Sequence, residues 1–194
     1  MLVPVSPVKL ERSMNTLFKW FWVSCFVICI NGRSEAAIRP EKVYLAESKK
    51  TPIYVHDGLF VGGDRAIQDV IIKDIRRAAN PGFERLVIDL EKNQSGEAVA
   101  LPRTPYYQVA VSPEEKRLVF TVWGKPNLKF DSKKVKMQFR RSRAVDHLEL
   151  LPRLEEEMWT FVVGLKTGGE SVQVFELSNP VRIIVDIRVG GVTK

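Results

Sequence analysis

Apolar and polar residues alternate with a period near two through most of the chain beyond residue 80. Phe83–Leu90 reads F-E-R-L-V-I-D-L, Tyr107–Val111 reads Y-Q-V-A-V and Arg117–Trp123 reads R-L-V-F-T-V-W. Trp159–Leu165 (W-T-F-V-V-G-L), Val172–Leu177 (V-Q-V-F-E-L) and Arg182–Val189 (R-I-I-V-D-I-R-V) follow the same style. These runs are five to eight residues long and rich in β-branched and aromatic side chains, the composition that fits a pleated, half-buried surface. Turn chemistry separates them at Asn80-Pro81-Gly82, Ser112-Pro113, Lys166-Thr167-Gly168-Gly169 and Ser178-Asn179-Pro180. Short strands with tight turns between them predict an all-β sandwich or barrel. Residues 64–79 fit two descriptions. They could form a helix capped by Asp64 with Ile67, Val70, Ile71 and Ile75 on one side, or a linker into a strand, Val70–Arg76, that turns at Asn80. The strand is favoured, because a helix would have to stop abruptly before Pro81.

A repeat runs through these strands. Arg85-Leu-Val-Ile-Asp-Leu recurs as Arg117-Leu-Val-Phe-Thr-Val and as Arg182-Ile-Ile-Val-Asp-Ile, with Thr160-Phe-Val-Val-Gly-Leu as a weaker fourth copy. The strand and turn before Arg117 parallel those before Arg182, so the chain divides into two related units, Val70–Gly124 and Val145–Gly190. Each supplies three to four strands, and two such units can bury their apolar faces on each other as a pseudo-symmetric β-sandwich. By alternation Arg85, Val87 and Asp89 share one strand face and Leu86 and Ile88 the other. The simplest role for the Arg and Asp of each hexamer is to pair across the sheet and discourage wrong pairing.

The N-terminal residues read as an address. Lys9, Arg12 and Lys19 precede an eleven-residue apolar run, Trp20–Ile30, and Ser34 and Ala36 stand at −3 and −1 of a cut before Ala37. That is the layout of a secretory signal peptide, here residues 1–36, with Met14 as an alternative start. An uncleaved N-terminal anchor is the competing description, and both place the remainder in the periplasm, free or held at the inner membrane. The run is too short for the ~20 residues of a comfortable membrane-spanning helix, so no membrane span is expected after cleavage. Cleavage removes Cys25 and Cys29, leaving no thiol for a disulfide, a nucleophile or a thiolate metal site. The expected organisation is then an extension over 37–69 and a β-sandwich domain over 70–190.

At this point the residues resemble a known family. Val172–Ile187, V-Q-V-F-E-L-S-N-P-V-R-I-I-V-D-I, is similar to the signature strand pair of the AMIN domain: a short strand, a turn containing Pro, then Arg, three apolar residues, Asp and another apolar residue. AMIN domains occur beside the catalytic unit of periplasmic N-acetylmuramoyl-L-alanine amidases and in the secretin pores of pili. The resemblance covers about Val70–Gly190 and implies a small, non-catalytic β-sandwich that binds peptidoglycan and localises its owner in the cell envelope. The chain departs from the pattern at Lys92–Arg103, which interrupts the first unit, and in a basic insert before the second.

Charge locates a candidate surface. The whole chain carries +7, and the leader holds four basic and two acidic residues, which leaves +5 for the rest. Lys125–Arg143 has eight basic residues and one acid, Asp131, so the remaining residues sum to −2. Val135, Met137 and Phe139 alternate with Lys134, Lys136, Gln138 and Arg140, which predicts an exposed strand or hairpin arm between the units. Its candidate docking residues are Lys133, Lys134, Lys136, Arg140, Arg141 and Arg143. Arg85, Arg117 and Arg182 on the sheet are the alternative set. Such an arm suits peptidoglycan or another anionic envelope polymer. A second possibility is a protein-interaction adaptor in a pilus or secretion assembly, acting through the arm and free sheet edges. Nucleic acid fits the charge, but export argues against it.

Catalytic chemistry finds little support. His56 and His147, each beside an Asp, have no Cys and no convincing Ser partner, and adjacent strand residues should point to opposite faces. Glu155-Glu156-Glu157 reads as a solvated turn, and Gly62-Gly63 and Gly168-Gly169 match no phosphate loop. The expectation is a binding module with no enzymatic activity, cofactor or metal.

Overall fold

The computed structural model describes residues 42–155 and 157–189, without the side chains of 151–154. The leader expected over 1–36, both cysteines and the first residues of the extension lie outside the described residues.

The hairpins form as the turns dictate. Strand β3 (Val70–Asn80) turns at Pro81-Gly82 into β4 (Phe83–Gln94), so the ambiguous stretch is a strand from Val70 on. β6 (Tyr107–Ser112) pairs with β7 (Arg117–Trp123), β9 (Val145–Leu154) with β10 (Met158–Leu165), and β11 (Ser171–Ser178) with β12 (Val181–Arg188). Glu155 and Glu157 belong to the turn between β9 and β10. The interrupting residues after Lys92 continue β4 and return as β5 (Glu97–Val99), which pairs back on it.

The two units do not stack as separate halves. Each sends one hairpin to each sheet. The first sheet contains the row β6-β7-β10-β9, and the second the row β11-β12-β4-β3. The junctions between units are β7·β10 and β4·β12, and these four strands carry the four copies of the repeated hexamer. In both junctions the first residue of one copy stands opposite the fifth of the other. Arg85 faces Asp186 and Arg182 faces Asp89 in one sheet; Thr160 faces Thr121 and Gly164 faces Arg117 in the other. The fold is thus an all-β sandwich of two packed sheets, to each of which each unit contributes one hairpin. A lone hairpin leaves two open edges and is marginal in water; interleaving turns four hairpins into two four-stranded rows.

Between the rows lies one core. Leu86, Ile88 and Leu90 of β4 and Ile183, Val185 and Ile187 of β12 meet Leu118, Phe120 and Val122 of β7 and Trp159, Phe161 and Val163 of β10. Phe161 stacks on Phe120 and on Trp159 with ring centroids 4.5 and 4.3 Å apart. The buried indole of Trp159 donates to the carbonyl of Leu150 at 2.9 Å.

The extension completes the sandwich. β1 (Val43–Leu45) lies parallel to β2 (Gly58–Gly62), which pairs with β6 at the edge of the first sheet. The stretch between them crosses to the second sheet and runs along β11. There Val55 and Val172 exchange hydrogen bonds of 2.8 and 2.7 Å, and Glu176 N–H donates to the carbonyl of Glu47 at 2.8 Å. Residues 46–56 therefore strap one side of the sandwich and cover the edge of β11.

The other side corrects the expected basic strand. After a two-residue strand, β8 (Asn127–Leu128), parallel to β3, the chain forms a helix, α1 (Ser132–Phe139), in contact with β3 and β9. Asp131 caps it, its carboxylate accepting from the N–H groups of Lys133 (2.8 Å) and Lys134 (3.2 Å). The apolar residues obey the helical period. Val135 and Phe139, four apart, enter the core, while Met137 points to solvent, 59% exposed. Val135→Ala should therefore cost about 2 kcal/mol, whereas Met137→Ala should stay within about 0.5 kcal/mol. Urea unfolding of the two variants checks this, and equal losses would mean that the segment is not helical.

Candidate binding surface

Lys133, Lys134, Lys136, Arg140 and Arg141 are all exposed on α1 and the turn that follows it. None forms an ion pair among the described residues. Arg143 differs. Its backbone N–H donates to Glu84 Oε1 at 2.7 Å, its Nε lies 3.8 Å from the same oxygen, and its Nη2 donates to the carbonyl of Asn80 at 3.4 Å. Five of the six expected docking residues are thus brought together as free cations, and the sixth is tied down.

Glu84 fixes this surface from below. By the alternation of β4 it shares the inner face of Leu86 and Ile88, so its carboxylate is buried, 2% exposed. Arg77 of β3 grips it with Nε (3.0 Å) and Nη2 (2.6 Å). Ser142 Oγ also donates to it, while accepting from the N–H of Val145 at 2.7 Å. Arg77 further donates to the carbonyl of Arg141 at 3.2 Å, and its backbone N–H to Gln138 Oε1 at 3.3 Å. Burial alone would raise the Glu84 carboxyl, but the hydrogen bonds from Arg77, Ser142 and the Arg143 N–H outweigh it and hold the pKa at about 2. One buried carboxylate thereby anchors α1 and the 140–144 turn to β3 and β4.

The alternative arginines are occupied. Arg85 forks Asp186, with Nε at 2.6 Å and Nη2 at 2.8 Å. Arg182 Nε donates to Asp89 at 2.7 Å, and Arg117 Nε to Glu115 at 2.7 Å. Arg85 and Arg182 lie on the outer face of one sheet and Arg117 in the other sheet, so the three do not form one patch. Arg76, which sequence reasoning passed over, joins Arg182 on Asp89 through Nε (2.5 Å) and Nη2 (2.9 Å).

The histidines lie apart. His56 Nδ1 lies 3.1 Å from the carbonyl oxygen of Glu170, and its neighbour Asp57 pairs with Lys42 instead. His147 departs from the expectation that it and Asp146 point apart: its Nδ1 is 3.0 Å from Asp146 Oδ2 and its Nε2 3.3 Å from Glu149 Oε1. The cause is a register shift of β9 against β10 between Gly164 and Leu165, which breaks the alternation at this point. Gly164 makes room, since a Cβ there would sit 2.2 Å from the imidazole. The hydrogen bond with Asp146 raises the His147 pKa against the opposing effect of desolvation, with Glu149 adding to the rise.

Among the described residues no group of three or more His, Cys, Asp or Glu is placed to hold a metal ion, and no helix is long and apolar enough to cross a membrane. No protein-family model matches the chain, and searches of curated proteins and of solved structures found no match. The likeness to AMIN domains therefore rests on the residues quoted above.

Proposed function

We propose that the chain is a non-catalytic docking module of the periplasm that binds peptidoglycan through helix α1. The observation that carries this reading is the helix surface itself. Lys133, Lys134, Lys136, Arg140 and Arg141 stand exposed on α1 and the turn after it, with no ion pair among the described residues, while the strand arginines Arg76, Arg77, Arg85, Arg117 and Arg182 are all engaged by carboxylates. Free cations at this density attract a polyanion, and peptidoglycan presents carboxylates in repeating array. The export signal and the AMIN-like strand pair support the compartment and the ligand.

Attachment by strand addition, the adaptor reading, has less to recommend it. The edge of β11 is covered by residues 46–56. The free edge of β9 is interrupted by register shifts at both ends of its regular stretch, a device that discourages edge pairing. Co-sedimentation of the full chain with purified sacculi is the direct test. The chain should pellet with sacculi at low salt, and no co-sedimentation at low or moderate salt would sink the proposal.

A further inference from the structure

The repeated hexamer builds the same ion pair twice, and the two copies meet different fates. Asp186, fully buried, is forked by Arg85 and closed over by Lys50 of the 46–56 strap, whose Nζ lies 2.9 Å from Oδ2. The Lys50 ammonium also sits 3.9 Å over the ring of Phe83. This copy is sealed. Its twin is open. Asp89 takes Arg182 and Arg76 together, and all three residues line a cavity of about 510 Å³. Arg182 uses only Nε, and Arg76 only Nε and Nη2, in contacts with the described residues. Each therefore keeps N–H donors that contact no described residue, and the clamp itself sets two guanidinium groups against one carboxylate. Burial acts to raise the Asp89 carboxyl, but the two arginines overcome this and hold it below its ordinary value, so the clamp stays charged. The wider lining balances this charge: Lys73 is paired with Glu91 at 2.6 Å, and the Asp74 carboxylate, whose Oδ1 accepts the N–H of Ile75 at 2.9 Å, adds one negative charge. The clamp therefore offers hydrogen-bond donors to a carboxylate rather than a net positive cavity.

The cavity is lined by residues 98–101, at and after β5, and by residues 178–182, the turn end of the β11–β12 hairpin. Ser178 also lines a second cavity, of about 470 Å³, with Asp64, Arg65, Arg103, Thr104 and Glu176. Both volumes fall in the usual range of small-ligand sites. The two cavities share Ser178 and, taken as one groove, offer the Arg76 and Arg182 donors in the first and the Asp64 and Glu176 carboxylates, beside Arg65 and Arg103, in the second. That layout suits a short chain bearing an acid and an amine.

We propose that this groove binds a short peptide carrying a free carboxylate, with the carboxylate seated on Arg76 and Arg182 and the chain running past Ser178 into the second cavity. The identity of the peptide rests on the peptidoglycan reading, since the stem peptides of that polymer carry both carboxylates and amines. The groove would then recognise the peptide, while α1 supplies non-specific attraction to the polymer.

The test is titration of the full chain with soluble muropeptides, using peptide-free glycan fragments of equal length as the comparison. Muropeptides should bind saturably and glycan fragments should not. Arg182→Gln should weaken binding about tenfold, the worth of one good charge-assisted contact. Asp89 keeps Arg76 in that variant. Ser178→Trp fills the groove from the exposed end of β11, touches no ion pair and should abolish binding, with thermal unfolding confirming that both variants fold. Equal binding of peptide-free glycan, or wild-type affinity in Ser178→Trp, overturns the groove. Retention of the wild-type chain on intact sacculi without saturable muropeptide binding also overturns the groove but leaves the helix reading standing. Muropeptide binding without retention on sacculi does the reverse.

Discussion

Replacing Lys133, Lys134, Lys136 and Arg140 together with Gln should abolish retention on peptidoglycan and leave the fold intact. All four side chains are exposed and carry no ion pair among the described residues, so their charge does nothing for the sandwich that Gln cannot do. Surface changes of this kind usually move stability by no more than about 0.5 kcal/mol each, and Gln is a good helix former. Asp131, Val135 and Phe139, which cap the helix and root it in the core, stay in place. The attraction that is lost is long-range and screened. Wild-type retention should therefore fall steeply as salt rises towards physiological strength, where the Debye length shortens to about 8 Å, and the variant should already be free at low salt. Co-sedimentation across a salt series reads both effects. If the variant is retained like wild type at every salt concentration, α1 is a solvated surface and the docking site lies elsewhere, with the groove beside Arg76 and Arg182 as the next place to look.

The second large effect concerns Glu84. Glu84→Gln should destabilise the protein by about 3 kcal/mol at neutral pH, because it leaves the Arg77 guanidinium partly buried beside a neutral amide and weakens the tie to Ser142. The same figure follows from titration. The folded carboxyl sits at about 2 against an ordinary 4.5, and each pH unit of displacement is worth about 1.4 kcal/mol. Since the folded value is the lower one, this stability is present in full above the unfolded value and drains away as pH falls from about 4.5 towards about 2. The gap between wild type and Glu84→Gln should therefore be widest at pH 7 and close on acidification. Asp89, also held low, contributes in the same direction in both proteins and cancels in the comparison. Chemical unfolding of the two proteins at pH 7, 4 and 3 measures the gap. A gap that does not change with pH would mean that Glu84 acts by packing alone.

Much of the sandwich was legible in the chain. Six strands and the turns between them follow from period-two alternation and from Pro, Gly, Asn and Ser at the breaks, which are local properties. The hexamer copies marked as equivalent the four strands that the structure joins at the centre of the sheets, and alternation placed Arg85 and Asp89 together on one face, which the fold turns outward. Glu84 could have been found by the same rule, since it stands two residues before Leu86 on a face that must be buried. The basic segment was seen but misjudged in form. In K-K-V-K-M-Q-F, Val135 and Phe139 fit period two and period 3.6 equally well, and only Met137 distinguishes the two. Whether Met137 is inside or outside is a matter of burial, and burial belongs to the fold.

The rest was decided in three dimensions. Nothing local links Arg85 to Asp186 or Arg182 to Asp89, which lie 101 and 93 residues apart. Nor does any local signal place Arg76 beside Arg182, or draw residues 46–56 along β11 so that Lys50 closes over one Arg–Asp pair and leaves the other facing a cavity. The sequence by itself determined where the central strands are, which of them are equivalent and where the free charge is concentrated, because periodicity, turn residues and charge counts are properties of neighbours along the chain. The tertiary structure alone decided which of two identical ion pairs is sealed and which is open, because that depends on what a distant segment buries when the sheets close.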